Sequence, residues 1–196
     1  MSVTETDPFA WFQRWMTEAE ASEPADPNAM TVATVGPGGR PSARIVLLKG
    51  VDPRGFVFYT NTQSRKGSEL RDNTLASLLF HWKSLARQIR IEGTVEAVTA
   101  AEADAYYATR ARVSRLGAWA SEQSRPLSER AELERRLKHY EDQYPGEAIP
   151  RPPHWSGYRV VPDRFEFWRD MPYRLHDRTV FDRTADGGWT QGKLFP

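Results

Sequence analysis

Apolar and polar positions change period several times along the chain, and each change marks an element. Phe12, Trp15, Met16 and Ala19 recur at helical spacing behind Asp7 and Pro8. An N-cap residue followed by proline at the first helical position predicts a helix over about 8–21. A polar connector, SEPADPNA (22–29), follows. The pattern then becomes β-rich: MTVATV (30–35), SARIVLLKGV (42–51) and GFVFYTN (55–61). The short turns GPGG (36–39) and DPRG (52–55) separate these runs and predict antiparallel neighbours. LASLLFHW (75–82) and RQIRIEGTVEAV (87–98) predict two further strands, joined through Ser84, Leu85 and Ala86. In the second of them Ile89 and Ile91 fall on one face, and Gln88, Arg90 and Glu92 on the other.

The polar segment SRKGSELRDN (64–73) predicts a short surface helix starting near Thr62 or Ser64. Thr99 and Glu102 have capping-box spacing, so a helix is predicted over about 99–110. A charged segment over about 127–144 carries only Leu133, Leu137 and Tyr140 as an apolar stripe, which predicts a helix on the surface. After the proline-rich loop 145–153 the β pattern returns as SGYRVV (156–161), DRFEFWRD (163–170), RLHDRTVFDRT (174–184) and a final run after the turn DGG (186–188). The fold class is therefore mainly β with peripheral helices, a single domain over 1–196. Six or seven antiparallel strands protect their edges by closing into a barrel. The FEFW and GFVFY runs are expected to fill its core. Strands do not alternate with helices, and GPGG opens no helix, so a dinucleotide-binding Rossmann sheet is not expected.

Composition narrows the function. The chain has 27 Lys plus Arg against 26 Asp plus Glu, a net charge of +1, which argues against nonspecific nucleic-acid binding. There is no cysteine, so disulfides and thiolate chemistry are excluded. His81, His139, His154 and His176 lack ligand-like spacing, so no metal site is expected. No apolar run approaches the ~20 residues of a membrane helix, and the acidic start MSVTETDPFAWF is unlike a signal peptide. A cytoplasmic protein away from membranes is expected. Seven Trp, seven Tyr and nine Phe are enough to fill a core, line a site for a flat ligand or build a dimer interface.

Three basic segments carry the candidate chemistry. If RLHDR is extended, Arg174, His176 and Arg178 share one face within about 14 Å; three potential cations so close call for an anion, and equally suit a solvated edge strand whose charges discourage aggregation. Arg44 and Lys49 fall on opposite faces of a regular strand, so both reach one pocket only if a bulge or strand end turns one of them. Thr60, Ser64, Arg65 and Lys66 gather hydroxyls, two cations and a helix start, a combination that suits a phosphate and equally suits a capped surface helix.

Taken in order, RIVLLK (44–49), FVFYTNTQSRKG (56–67), RQIRIEG (87–93), SRLGAWASEQS (114–124), FEFW (165–168) and RLHDR (174–178) resemble the pyridoxine/pyridoxamine 5′-phosphate oxidases nearly throughout the chain. That resemblance implies an FMN-binding split barrel and an obligate homodimer. It implies that Arg44, Lys49, Tyr59, Thr60, Arg65, Lys66 and Gln88 hold the flavin from one subunit. Gln123, Ser124, Trp168 and Arg178 would hold it from the other. Lys49, Tyr106, Arg110 and Ser114 would bind the phosphate of a small phosphorylated pyridine, with Tyr106 and Arg110 one helical turn apart. Arg174 and His176 would lie against the reacting end of the pyridine as the catalytic pair. The implied reaction is oxidation of pyridoxamine or pyridoxine 5′-phosphate by dioxygen through FMN, releasing hydrogen peroxide, and ammonia from the amine. A flavin oxidase of another aromatic, such as a phenazine precursor, and a non-catalytic carrier of FMN or pyridoxal phosphate are the alternatives.

Overall fold

The computed structural model describes residues 6–196, so residues 1–5 of the acidic start lie outside the described residues. Helix α1 (Pro8–Ser22) begins as predicted, with the Phe9 N–H donating 2.9 Å to the Asp7 carboxylate. Its face Phe12, Trp15, Met16 and Ala19 is buried. Phe12 meets Phe56 and Phe80 with ring centroids 4.9 and 5.2 Å away, and Trp11 stacks on Phe167 at 4.4 Å. The helix thus caps a core built from GFVFY and FEFW: Phe56, Phe58 and Phe165 are wholly buried.

Among the described residues, nine antiparallel strands make one sheet: β1 (Ala29–Val35), β2 (Pro41–Leu47), β3 (Gly50–Asp52), β4 (Gly55–Asn61), β5 (Leu75–Trp82), β6 (Arg87–Ala97), β7 (Trp155–Arg169), β8 (Asp177–Arg183) and β9 (Trp189–Leu194). The order is β2-β1-β5-β6-β7-β4-β3, with β8 paired to β7 and β9 to β8. The two ends of that path, β2 and β3, are consecutive in the chain, so the sheet must curl round on itself. They do not pair with each other, so the barrel is split rather than closed. Ile89 and Ile91 point into the core, as the alternation in β6 requires. The remaining helices are α2 (Arg65–Asp72), α3 (Ala100–Thr109), α4 (Arg112–Ala120) and α5 (Arg130–Gln143). The Thr99–Glu102 capping box is formed, and α5 buries no residue fully.

Four expectations are corrected. The run 42–51 is two strands, interrupted at Leu48 and Lys49, where the Lys49 N–H donates to Val57 O at 2.8 Å. SGYRVV and DRFEFWRD are one 15-residue strand, β7, held continuously by β6 on one side; a bulge at Glu92/Gly93 absorbs the bend opposite Pro162. Residues 112–120 form a helix that no start signal announces, since Ala111 at its N-cap offers no side-chain acceptor. The segment Tyr173-Arg174 is not extended: both residues are left-handed, at φ 60° and 61°, and β8 starts only at Asp177. Arg174, His176 and Arg178 therefore do not share a strand face.

Candidate functional site

A two-residue break between β2 and β3 solves the problem of opposite faces. Lys49 sits in that break, and both it and Arg44 line one open cavity of about 1020 Å³. Tyr59 and Thr60 from β4, Arg65 and Lys66 from α2, and Gln123 and Ser124 after α4 line the same cavity. So do Tyr106 and Arg110 at the end of α3, and Ser114 in α4. A volume at the upper end of ordinary ligand pockets accommodates one large ligand or two smaller ones.

At one part of the cavity Lys66 is only 7% exposed. Its ammonium donates to Thr60 Oγ1 at 3.0 Å, Ser64 Oγ at 3.2 Å and Gln123 Oε1 at 2.8 Å, three neutral oxygens. Burial, reinforced by the neighbouring Arg44 cation, pulls its pKa down to about 8. The ammonium sits at the start of α2, whose N-cap is Ser64. Gly67 is what lets that helix start lie so close: a Cβ there would fall 2.2 Å from the Thr62 carbonyl oxygen.

The polar pattern of α2 hides a buried carboxylate. Glu69 is 4% exposed. Its Oε2 accepts from Thr34 at 2.5 Å, Ser42 at 2.6 Å and Arg44 at 3.2 Å, and its Oε1 from Arg65 Nε at 2.9 Å. Burial opposes its charge, but the hydrogen bonds from Ser42, Thr34, Arg65 and Arg44 prevail and hold its pKa at about 2. Glu69 thus ties Arg44 on β2 to Arg65 on α2. Its only sequence signal was the helical spacing Arg65 to Glu69.

Elsewhere along the cavity the rings of Tyr59 and Tyr106 stack 4.1 Å apart, and Trp155 lies parallel to Tyr59 at 5.4 Å. Gly157 makes this possible, because a Cβ there would meet the Tyr59 ring at 2.7 Å. The Arg110 guanidinium lies 4.8 Å from the Trp155 ring centre, and its Nη1 is buried with no hydrogen-bond partner. Burial lowers its pKa. Trp155 belongs to none of the segments singled out in the sequence.

The other five predicted residues lie outside this cavity. Gln88 is opposite Trp168 across β6 and β7, and Trp168 is opposite Arg178 across β7 and β8. His176 packs on Trp168 at 4.7 Å, with Nδ1 2.9 Å from Asp170 Oδ1. Arg178 Nε donates 2.7 Å to the buried Glu166. That carboxylate, though burial opposes its charge, is held below its usual range by the Arg178 hydrogen bond and the Arg90 charge. Arg174 is exposed on the left-handed turn. Within one chain Gln123 and Ser124 lie with the Lys66 group, and Gln88 lies with Trp168 and Arg178.

Comparison with known proteins fits this layout. Residues 16–144 match the family model described as pyridoxamine 5′-phosphate oxidase, and residues 155–196 match one described as a pyridoxine 5′-phosphate oxidase C-terminal dimerisation region. A pyridoxine/pyridoxamine 5′-phosphate oxidase of Caulobacter vibrioides is 62% identical over 99% of this chain and 87% of its own length. The same-named protein of Gluconobacter oxydans is 63% identical over 97% of this chain and 94% of its own length. Among solved structures, PhzG from Burkholderia lata, in complex with tetrahydrophenazine-1-carboxylic acid, superposes with a TM-score of 0.92 at 32% identity, covering 99% of this chain and 95% of that one.

Proposed function

The chain belongs to the pyridoxamine 5′-phosphate oxidase family, and from that premise we propose that it oxidises pyridoxamine or pyridoxine 5′-phosphate to pyridoxal 5′-phosphate with FMN as cofactor. One observation carries the proposal: a single cavity holds two cations, Lys66 and Arg110, that are buried or half-buried without a carboxylate partner. Buried cations without counter-charge are costly, so each is accounted for by an anion supplied from outside. A phosphorylated cofactor and a phosphorylated substrate together satisfy both.

The residues present fit FMN. Lys66, Arg65, Arg44 and the Thr60 hydroxyl gather cations and donors at a helix start, as a phosphate dianion requires. The amide of Gln123 beside them suits the donor–acceptor edge of a flavin ring. When bound, FMN supplies the two-electron oxidation, with dioxygen as final acceptor and hydrogen peroxide as product. Arg110, Tyr106, Ser114 and Lys49 hold the substrate phosphate and fix the distance of its ring from that end of the cavity. His176 and Arg174 orient the reacting group; Asp170 engages Nδ1 of His176 and leaves Nε2 free for the substrate.

The cavity and the Trp168 group lie toward opposite ends of β7. Trp155 and Trp168 are thirteen residues apart on it, about 43 Å of strand at ~3.3 Å per residue. A flavin contacts both groups only if the second comes from another copy of the chain, in keeping with the dimerisation region matched at 155–196. Gln88, Trp168, Arg174, His176 and Arg178 are therefore assigned to the partner's cavity.

The likeness to PhzG supports a second reading, oxidation of a tricyclic carboxylate. The Tyr106, Arg110 and Ser114 set favours a compact phosphate over an extended ring system. One experiment separates the cases. Flavin bands in the absorbance spectrum of the purified protein, and hydrogen peroxide formed under air with pyridoxamine 5′-phosphate, are expected. A colourless protein, or turnover of tetrahydrophenazine-1-carboxylic acid alone, refutes the proposal.

A further inference from the structure

Among the described residues, every other arginine with a buried or half-buried side chain donates to an oxygen, as Arg87 does to Glu18, Arg90 to Glu166, Arg115 to Glu147, Arg151 to Asp104 and Arg159 to Asp52. Arg110 alone has rings instead. Its guanidinium lies 4.8 Å from the centre of Trp155 and 5.9 Å from that of Tyr107, with Nη1 buried and unpaired. A guanidinium that bonded a carboxylate would already be neutralised. One resting on an aromatic face keeps all five donors for a ligand while the ring quadrupole offsets part of its desolvation.

Trp155 is itself fixed. It is 6% exposed, opposite Asn61 in the β4–β7 ladder, parallel to Tyr59 at 5.4 Å and to Tyr106 at 6.1 Å, and edge-on to Tyr107 at 5.0 Å. Arg110, by contrast, is the C-cap of α3, where the helix ends and its side chain would otherwise swing. We propose that Trp155 is a positioning residue, whose indole face holds the Arg110 guanidinium toward the cavity so that it meets the phosphate of the substrate. The inference rests on Arg110 binding that phosphate.

The test is a double-mutant cycle in the FMN-loaded enzyme with Arg110→Ala, Trp155→Leu and the pair. KM for pyridoxamine 5′-phosphate is measured, with equilibrium dialysis of pyridoxal 5′-phosphate as a readout independent of turnover. Trp155→Leu is expected to raise KM and the dissociation constant about 5- to 30-fold, the range of a desolvated cation–π contact, with a smaller change in kcat. The double variant is expected to resemble Arg110→Ala, because the indole has nothing left to position. Trp155→Phe retains an aromatic face and should recover most of the loss; it also serves where Trp155→Leu fails to fold. If Arg110→Ala weakens binding while Trp155→Leu adds an equal, independent loss on top of it, or while Trp155→Phe is as defective as Trp155→Leu, the positioning role is overturned. If Arg110→Ala itself leaves KM and the dissociation constant as in the wild type, it is the assignment of the phosphate to Arg110 that fails.

Discussion

With Lys66 at the FMN phosphate, as proposed, the affinity for FMN should depend on pH in a definite direction. In the free protein its pKa is about 8, because burial and the Arg44 cation disfavour the ammonium. A phosphate dianion against it reverses that balance and returns the group toward the ordinary lysine range. Binding therefore takes up a proton wherever the free amine is neutral. Below pH 8 the ammonium is already present and no uptake is needed; above pH 8 each unit costs close to one decade of affinity. The apparent dissociation constant scales as one plus ten to the power of pH minus 8, so from pH 7 to pH 9 it should rise about tenfold, or ~1.4 kcal/mol. The FMN phosphate, with a second pKa of about 6, is a dianion throughout and adds no slope. The assay is titration of the apoprotein with FMN, followed by quenching of flavin fluorescence, at constant ionic strength. Lys66→Met should bind more weakly at pH 7 and lose the dependence between pH 7 and 9. A flat wild-type profile, or a slope that survives in Lys66→Met, refutes the assignment of Lys66 to the phosphate.

Three other outcomes are expected. Arg110→Ala should mainly raise KM, whereas Arg174→Ala should lower kcat about 10- to 100-fold; anaerobic single-turnover flavin reduction distinguishes them, and the reverse pattern means the two ends of the substrate are exchanged. Mixing Lys66→Ala with Arg178→Ala subunits should restore intact sites, about a quarter of the total after random exchange, since one heterodimer site then carries both changes and the other neither; no recovery after verified exchange argues against a shared site. Gly67→Ala would place a methyl 2.2 Å from the Thr62 carbonyl oxygen, so it should displace the start of α2 and lower FMN retention, read as flavin per protein after gel filtration.

Much of this architecture was legible in the chain because local chemistry and tertiary structure agree. Asp7 and Pro8 start α1, the Thr99–Glu102 box starts α3, and Ile89 and Ile91 alternate into the core. The failures share a cause: the deciding force was not local. Residues 42–51 read as one β-rich run, and only the bond from the Lys49 N–H to Val57 O marks the break. Tyr173 and Arg174 adopt left-handed backbone without a glycine to announce it. Glu69 reads as one polar residue in a polar helix, yet four donors from three elements bury it. In the site, eleven of the motif positions line one cavity. Trp155 escaped because its part depends on what stacks on its face, which spacing along a chain does not encode.

Strand β7 has a consequence beyond geometry. Trp155 near one end belongs to the cavity, and Trp168 near the other belongs to the group assigned to the partner's cavity. One stiff ribbon is thus a common spine for two half-sites that never serve each other. In the proposed dimer, any load that parts two subunits splits both reaction centres in the same event, and reassociation rebuilds both. On the proposed shared sites, dilution, or a small molecule wedged between copies, would therefore silence both centres together, at a distance from either phosphate.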